Sequence, residues 1–403
     1  MQLRELLQPM TDSNALITFV VPTRNRQDCL RSTLQIFSRF HQEKCTRFNV
    51  VILDNSDDDS LANDVENCPF AITYVYRADQ LSVVDNFNQG PALLTGTYAC
   101  FMGDDDLISE RIFDLAALMD EHEIDAAILA AQTKGVYFWP GVVDARWGDV
   151  GGTLFLGDPS GQIQPIILDN AVRKSRAQSC DGPQLLPRVY SGLIAKSCID
   201  KVIERYGTLF GGCSPDIYSS RLLSSVVKKL VAIDLPVLLA GASKTSTSAQ
   251  RAERSDVGQL KSNDHLGRFQ NLVWSPRIPE FYSPFTVWAQ SYLQAEERLG
   301  NKLDDSDLAY VYAKCLLFAR GNAPAVLAAM HRSTSPTWQT ILTALSLLVL
   351  PFRFVAQKLP LLLNRRPGGC SYAYAKLETS YDASRHLDDV IRTIPMQLAG
   401  ARA

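Results

Sequence analysis

The nine cysteines of this chain are odd in number and scattered, and none is spaced as Cys-x-x-Cys, so neither a disulfide framework nor a zinc site is suggested. Those inside apolar runs, such as Cys100, read as small buried hydrophobes. The chain therefore reads as reduced and cytoplasmic. Long apolar runs are also missing. After a polar start, Met1 to Asn14, the first apolar run covers only Leu16 to Val21, too short for a signal anchor. Charge of one sign is lacking as well: 40 basic and 43 acidic side chains leave a net charge of −3, which sets up no field to recruit nucleic acid. No internal repeat is present.

What is there is an ordinary globular composition, 46% hydrophobic and 21% charged, spread over 403 residues. That length exceeds what one core favours, so a large catalytic domain with a smaller appendage is expected. The first 130 or so residues alternate short β-rich runs with amphipathic stretches, the pattern of an α/β sheet flanked by helices. Strands are predicted at Leu16 to Val21, Phe48 to Leu53, Ile72 to Tyr76, Thr97 to Met102 and Ala126 to Leu129. Between the first two, Leu30, Leu34, Phe37 and Phe40 recur at helical spacing, with Asp28 at a helix start. Ser109 is placed to cap a helix that buries Ile112, Leu115, Ala116 and Met119.

Periodicity fades from Tyr137 to about Pro187, which reads as loops and short hairpins. A strand at Val189 to Ala195, helices at Cys198 to Tyr206 and Ile217 to Lys229, and a strand at Leu230 to Leu239 follow. The Ser-, Thr-, Gly- and charge-rich run Gly241 to Asp264 reads as a linker or a functional lid. Beyond it the sequence turns helical. The expected division is therefore a catalytic domain over 1–264 and a mainly α-helical C-terminal domain over 265–403, either membrane-associated or acceptor-binding. Within the latter, 341–366 joins two apolar segments through Arg353 and Lys358 and ends at Arg365 and Arg366. Such a pair suits either peripheral contact with the inner leaflet or burial in the helical domain.

Chemistry concentrates at Asp104, Asp105 and Asp106, which follow an apolar strand. Three adjacent carboxylates are electrostatically expensive without a cation, and hard cations such as Mg²⁺ or Mn²⁺ take oxygen ligands together with a diphosphate. The alternative is a solvated acidic turn leading into a helix. Other polar residues are delivered to the same sheet edge: Pro22 to Arg26 after the first strand, Asp54, Asn55 and Ser56 after the second, and Asp85 and Asn86 upstream of the triplet.

Four segments in order, VVPTRNR at 20–26, VILDNS at 51–56, LSVVDNFNQG at 81–90 and TGTYACFMGDDD at 95–106, resemble the inverting glycosyltransferases of family 2. The resemblance implies a GT-A type fold that binds a nucleotide sugar, with a divalent metal, Mn²⁺ or Mg²⁺. It implies an Asp-x-Asp element at Asp104 and Asp106, with Asp106 on the metal and Asp104 or Asp105 near the ribose or donor sugar. Pro22, Thr23 and Arg26 would line the nucleotide pocket, Asp54 would face the base, and Asn55, Asp85 and Asn86 would complete the donor side. The implied reaction is hexosyl-type transfer, with inversion, from a nucleotide-diphosphate sugar to a hydroxyl of a glycan or lipid-linked glycan, as in cell-surface polysaccharide synthesis.

An inverting displacement also needs a base. Asp216, in the first turn of a helix after Gly211-Gly212-Cys213-Ser214-Pro215, is the candidate, because similar family 2 sequences carry an acidic residue at the corresponding place. Many of those show Glu-Asp where this chain has Ser-Pro-Asp. His265 is a candidate third metal ligand or else a surface residue. Trp139, Trp147 and Tyr190 offer faces for stacking a sugar or else fill cores, and Arg251 and Arg254 either close on the diphosphate or are solvated. Two other functions remain open: a nucleotidyltransferase, against which the missing Gly- and Lys-containing phosphate loop counts, and a catalytically silent nucleotide-sugar-binding partner protein.

Overall fold

The computed structural model describes residues 3–7, 15–129, 135–244, 246, 257–260, 266, 268–269, 272–363, 367 and 370–399, with backbone alone at 3–7, 354 and 356–363. Arg251, Arg254 and His265 lie outside the described residues, as does most of the expected linker or lid.

The five predicted early strands form, because each is an apolar run bounded by turn residues, and a strand not foreseen, at Leu3–Leu7, precedes them. β1 is Leu3–Leu7, β2 Ile17–Thr23, β3 Phe48–Asp54, β4 Ile72–Arg77 and β5 Tyr98–Phe101. Two-residue β6, Leu107–Ile108, follows the aspartates, and β7 is Ala126–Ile128. The stretch expected to be loops and hairpins supplies β8 Gly135–Phe138, β9 Val143–Asp144, β10 Gly148–Asp149, β11 Thr153–Leu156 and β12 Gln162–Pro165. β13 is Gly192–Ala195. The strand expected over Leu230 to Leu239 is broken at Asp234-Leu235-Pro236 into β14, Leu230–Ile233, and β15, Leu238–Leu239, since proline cannot donate to a ladder. β16 is Gly241–Ala242, β17 Tyr372–Tyr374 and β18 Gln397–Leu398.

Ten strands form one mixed sheet in the order β1-β4-β3-β2-β5-β13-β7-β14-β12-β18. Its centre, β4-β3-β2-β5, is parallel, with Thr23 opposite Asp54 and Ile17 opposite Tyr98. β13 runs antiparallel between β5 and β7. A smaller sheet, β16-β8-β11-β17, stands beside it.

Helix α1, Gln27–Gln42, buries Leu30, Leu34, Phe37 and Phe40 against the sheet, where Phe37 packs on Phe19 at 5.0 Å and Phe48 at 5.6 Å between ring centroids. Short helices α2, Ala62–Glu66, and α3, Val83–Phe87, link the parallel strands. Helix α4, Arg111–Glu121, buries Ile112, Leu115, Ala116 and Met119. Ser109 stands two residues ahead of it and accepts from Arg111 N–H at 3.2 Å. A helix not foreseen, α5, covers Leu168–Ala177, and α6 is Lys196–Tyr206. The helix expected over Ile217 to Lys229 is shorter, α7 at Pro215–Leu223.

The C-terminal region is helical from 284 to 363: α8 Pro284–Arg298, α9 Asp305–Phe318, α10 Ala323–His331 and α11 Pro336–Leu363. The chain then returns to the sheet. β17 pairs with β11, β18 pairs with β12, and α12, Ser380–Ile391, packs on α1. A buried ion pair of 2.6 Å joins Arg39 of α1 to Asp388 of α12, and Ser109 also donates to Asp388. Residues 265–403 thus contain a helical layer and a closing segment that completes both sheets.

Candidate active site

Ligands in open sheets collect at the carboxyl ends of parallel strands. Here β2 delivers Thr23 through Arg26 to that edge, β3 delivers Asp54 through Ser56, and β5 delivers Asp104, Asp105 and Asp106. Asn25 adopts a left-handed backbone (φ 51°), a conformation that asparagine tolerates better than most residues, and its N–H donates to Ser56 Oγ at 2.8 Å. This turn aims Arg26 back over the end of β5.

All three aspartates are buried, and each is held differently. Thr23 donates to Asp104 Oδ2 at 2.6 Å, while Thr33 of α1 donates to the Asp104 carbonyl at 2.8 Å. Arg26 places Nη2 3.0 Å from Asp104 Oδ1 and Nη1 3.0 Å from Asp105 Oδ2. Ser243 donates to Asp105 Oδ2 from both its N–H, at 3.1 Å, and its hydroxyl, at 2.6 Å. Trp139 Nε1 donates to the Asp105 carbonyl at 2.9 Å. Asp106 faces backbone, accepting from Gly103 N–H at 2.7 Å and Gly241 N–H at 3.0 Å. Gly241 has to be glycine for this approach, because a Cβ there would lie 1.7 Å from the Asp105 carbonyl oxygen.

Tyr190 reaches the same point from β13's leading turn. A Cβ on Gly103 would meet Asp105 Oδ1 at 3.0 Å and the Tyr190 hydroxyl at 3.1 Å. Burial pushes Asp104 up, opposed by the Arg26 guanidinium, and it pushes Asp106 up with help from the charge of Asp105. For Arg26 burial works against the charge, yet Asp104 and Asp105 outweigh it and hold the guanidinium above its ordinary value. Burial, then the aspartate charges, raises the Tyr190 phenol.

Oxygen donors of this kind suit a hard divalent cation. Asp104 Oδ1 is buried and accepts no hydrogen bond, since Arg26 Nη2 is near it but not aligned for one. Each Asp106 oxygen keeps a second lone pair beside its amide contact. Asp104 and Asp106 therefore fit a cation. Arg26 meanwhile supplies the positive charge that balances Asp104 and Asp105, and no three His, Cys, Asp or Glu side chains converge into a metal cage among the described residues.

The other expected donor-side residues shape the edge. Asp54 is fully buried, accepting from Tyr74 OH at 2.8 Å and Ser56 N–H at 2.9 Å. Asn55 accepts from Arg24 at 3.0 Å and holds the Arg77 carbonyl at 2.7 Å. Asp85 closes the start of α3 with Ser82, whose hydroxyl donates to it at 2.6 Å. Asn86 donates to the Leu53 carbonyl at 3.1 Å, and Pro22 lies in β2 opposite Leu53. Beside the aspartates a cleft of about 460 Å³ opens over the N-terminal end of α1, lined by Asn25, Arg26, Arg31, Trp139, Ser243 and Lys244 among others. It borders Asp105 through Arg26 and Ser243, and does not extend over Asp54, Asp85 or Asp216.

Asp216 is half-buried in the first turn of α7, after Pro215 at the first helical position, and accepts from the Ser214 hydroxyl. Ser291 of α8 fixes its loop by accepting from Cys213 N–H at 3.1 Å and Ser214 N–H at 2.8 Å. That loop is tied to the aspartate edge by aromatic packing: Phe210 lies 5.0 Å from Phe101 and 5.3 Å from Phe87, and Phe87 lies 5.8 Å from Tyr190. Arg188, on the same turn as Tyr190, is lowered by burial and raised by the charge of Asp216. Trp147 packs instead beside Arg146 at 4.4 Å on an outlying hairpin. Thr33, Arg188 and Ser243 carry no local sequence signal; only the fold brings them to the aspartates or to Asp216.

Residues 18–146 match the sequence profile of Glycosyl transferase family 2, which identifies that segment as a family 2 glycosyltransferase. No curated protein matches the chain. Among solved structures, TarS 1-349 of S. aureus in complex with UDP-GlcNAc is 14% identical, with 90% of this chain and 97% of that one covered and a TM-score of 0.48. A mannosyltransferase, PcManGT of Pyrobaculum calidifontis, in complex with GDP-Man and Mn²⁺, is 13% identical, with 96% and 91% covered and a TM-score of 0.38. The large mixed sheet flanked by helices, with its helical C-terminal region, is the expected GT-A type architecture.

Proposed function

We propose that this chain, with its family 2 glycosyltransferase segment, moves a sugar from a nucleotide-diphosphate donor to a hydroxyl of a glycan or lipid-linked glycan, with inversion, in cell-surface polysaccharide synthesis at the cytoplasmic face of a membrane. The observation that carries the reading is the meeting of Thr23, Arg26 and Tyr190 with Asp104, Asp105 and Asp106 at the ends of β2 and β5.

The acceptor oxygen attacks the anomeric carbon as the bond from that carbon to the diphosphate oxygen breaks, and the nucleoside diphosphate leaves with the electron pair. Asp216 takes the acceptor proton. Arg26 balances the charge that grows on the leaving diphosphate, helped by the positive end of α1. A bound Mn²⁺ or Mg²⁺ would hold diphosphate oxygens, with Asp104 and Asp106 as its protein ligands and His265 as the proposed third. Thr23, Asn55 and Asp105 face the donor, while Pro22, Asp54, Asp85 and Asn86 set the backbone around it.

The test is nucleoside diphosphate release from a panel of nucleotide sugars with Mn²⁺ and cell-envelope glycans as acceptors. Asp216→Asn lowers transfer by about 100-fold or more while donor affinity is kept; loss of both together would remove its role as base. Donor binding without turnover by any acceptor favours the silent-binding reading.

A further inference from the structure

Helix α11 is amphipathic in the reverse sense to a core helix. Among its described side chains the buried ones are Gln339, Thr343 and Leu350, and Gln339 donates to Thr343 at 3.4 Å. This largely polar face packs on α9. Its outer face carries Trp338, Ile341, Leu345, Leu348, Phe352 and Val355, between 45% and 78% exposed. These follow one another at three- and four-residue intervals, so they make a continuous stripe. Leu327 on the neighbouring α10 is exposed as well. A folded chain that buries glutamine and threonine while leaving a tryptophan, a phenylalanine and four aliphatic side chains in water along the same helix has an apolar occupant for that stripe.

Charge says which occupant. Between Leu308 and Leu377 the sequence has no aspartate or glutamate, although the whole chain is slightly acidic, and eight lysines and arginines fall there. Arg320, Arg332 and Arg353 are exposed. A second copy docked through α10 and α11 would oppose like charges, since neither helix carries an acidic side chain. A surface of anionic headgroups over an apolar interior meets both features. Among the described residues no helix is long and apolar enough to cross a membrane, so the contact lies in the plane of the interface.

We infer that α11 is an in-plane membrane anchor, which lays the stripe from Trp338 to Val355 into the headgroup boundary of an anionic bilayer. The surface is separate from the donor site and stands without the proposed chemistry. It also places a glycan-handling site at a membrane surface, where a lipid-linked acceptor is presented.

The experiment is flotation of the full chain with vesicles of phosphatidylcholine alone and of phosphatidylcholine mixed with phosphatidylglycerol, at low and high salt. The wild type floats with the mixed vesicles and less with phosphatidylcholine, and salt weakens the binding. Leu348→Glu with Phe352→Glu lowers the bound fraction about tenfold or more; Arg353→Glu lowers it less and only at low salt. Both variants keep their thermal transition and donor binding, since these side chains are solvent-exposed. Equal flotation of wild type and double variant overturns the inference. So does a wild type that does not float but sediments as a dimer which the double variant dissociates.

Discussion

Helices α1 and α11 are both amphipathic, and they use that property in opposite ways. α1 exposes Asp28, Gln35 and Gln42 and buries Leu30, Leu34, Phe37 and Phe40 in the main core. α11 buries Gln339 and Thr343 and exposes Trp338, Leu345, Leu348 and Phe352. α1 is also covered on its far side by α12, through Arg39 with Asp388 and through Ser32, which accepts from Tyr381 N–H at 3.0 Å. Among the described residues nothing covers the apolar face of α11 in this way. One helix therefore spends its apolar surface on folding, and the other keeps it available.

The contrast can be broken by truncation. Phe37→Ala costs about 3–5 kcal/mol in urea unfolding, whereas Phe352→Ala stays within about 0.5 kcal/mol, because only the first opens a cavity. Equal costs would mean that α11's outer face is covered after all. Next in size is the far side of α1: Arg39→Ala lowers stability by roughly 3 kcal/mol, leaving Asp388 buried with its charge uncompensated. The double variant Arg39→Met with Asp388→Leu recovers much of that loss, which urea midpoints of both proteins measure.

A smaller effect tests the polar end of α1, where Arg26 meets the aspartates. Burial raises Asp104 in the folded state to about 7, so the folded chain holds more protons than the unfolded one between roughly pH 4 and pH 7. Stability from this group therefore falls as pH rises through that window. Asp104→Asn removes the slope, and its stability relative to wild type is higher at pH 8 than at pH 5, by roughly 2–3 kcal/mol. A difference independent of pH would show that Arg26 keeps Asp104 ionised throughout.

Much of the first 130 residues was legible because each strand is a short apolar run with polar ends and each helix has one apolar stripe. The aspartate cluster and its neighbours on β2 and β3 were legible for the same reason: they sit at strand ends within one segment of chain. Ser243, Thr33 and Arg188 were not, since nothing local marks them. Ser243 reaches Asp105 only because Gly241 lets β16 approach the aspartate turn. The return of 370–399 to the sheet was equally hidden, because β18 is two residues long and its pairing with β12 is a contact over more than 200 positions. α5 was missed because its buried face is no more than Ala171 and Ser175.

Local patterning by itself determined the alternation of strands and helices, the delivery of carboxylates to one sheet edge, and the presence of an apolar, acid-poor segment near residue 345. Tertiary structure alone decided how the aspartates are shared among Thr23, Arg26, Ser243 and two backbone amides, and which face of α11 turns outward. The reason is physical: periodicity reports that a helix has two faces, but the side that is buried depends on what packs against it.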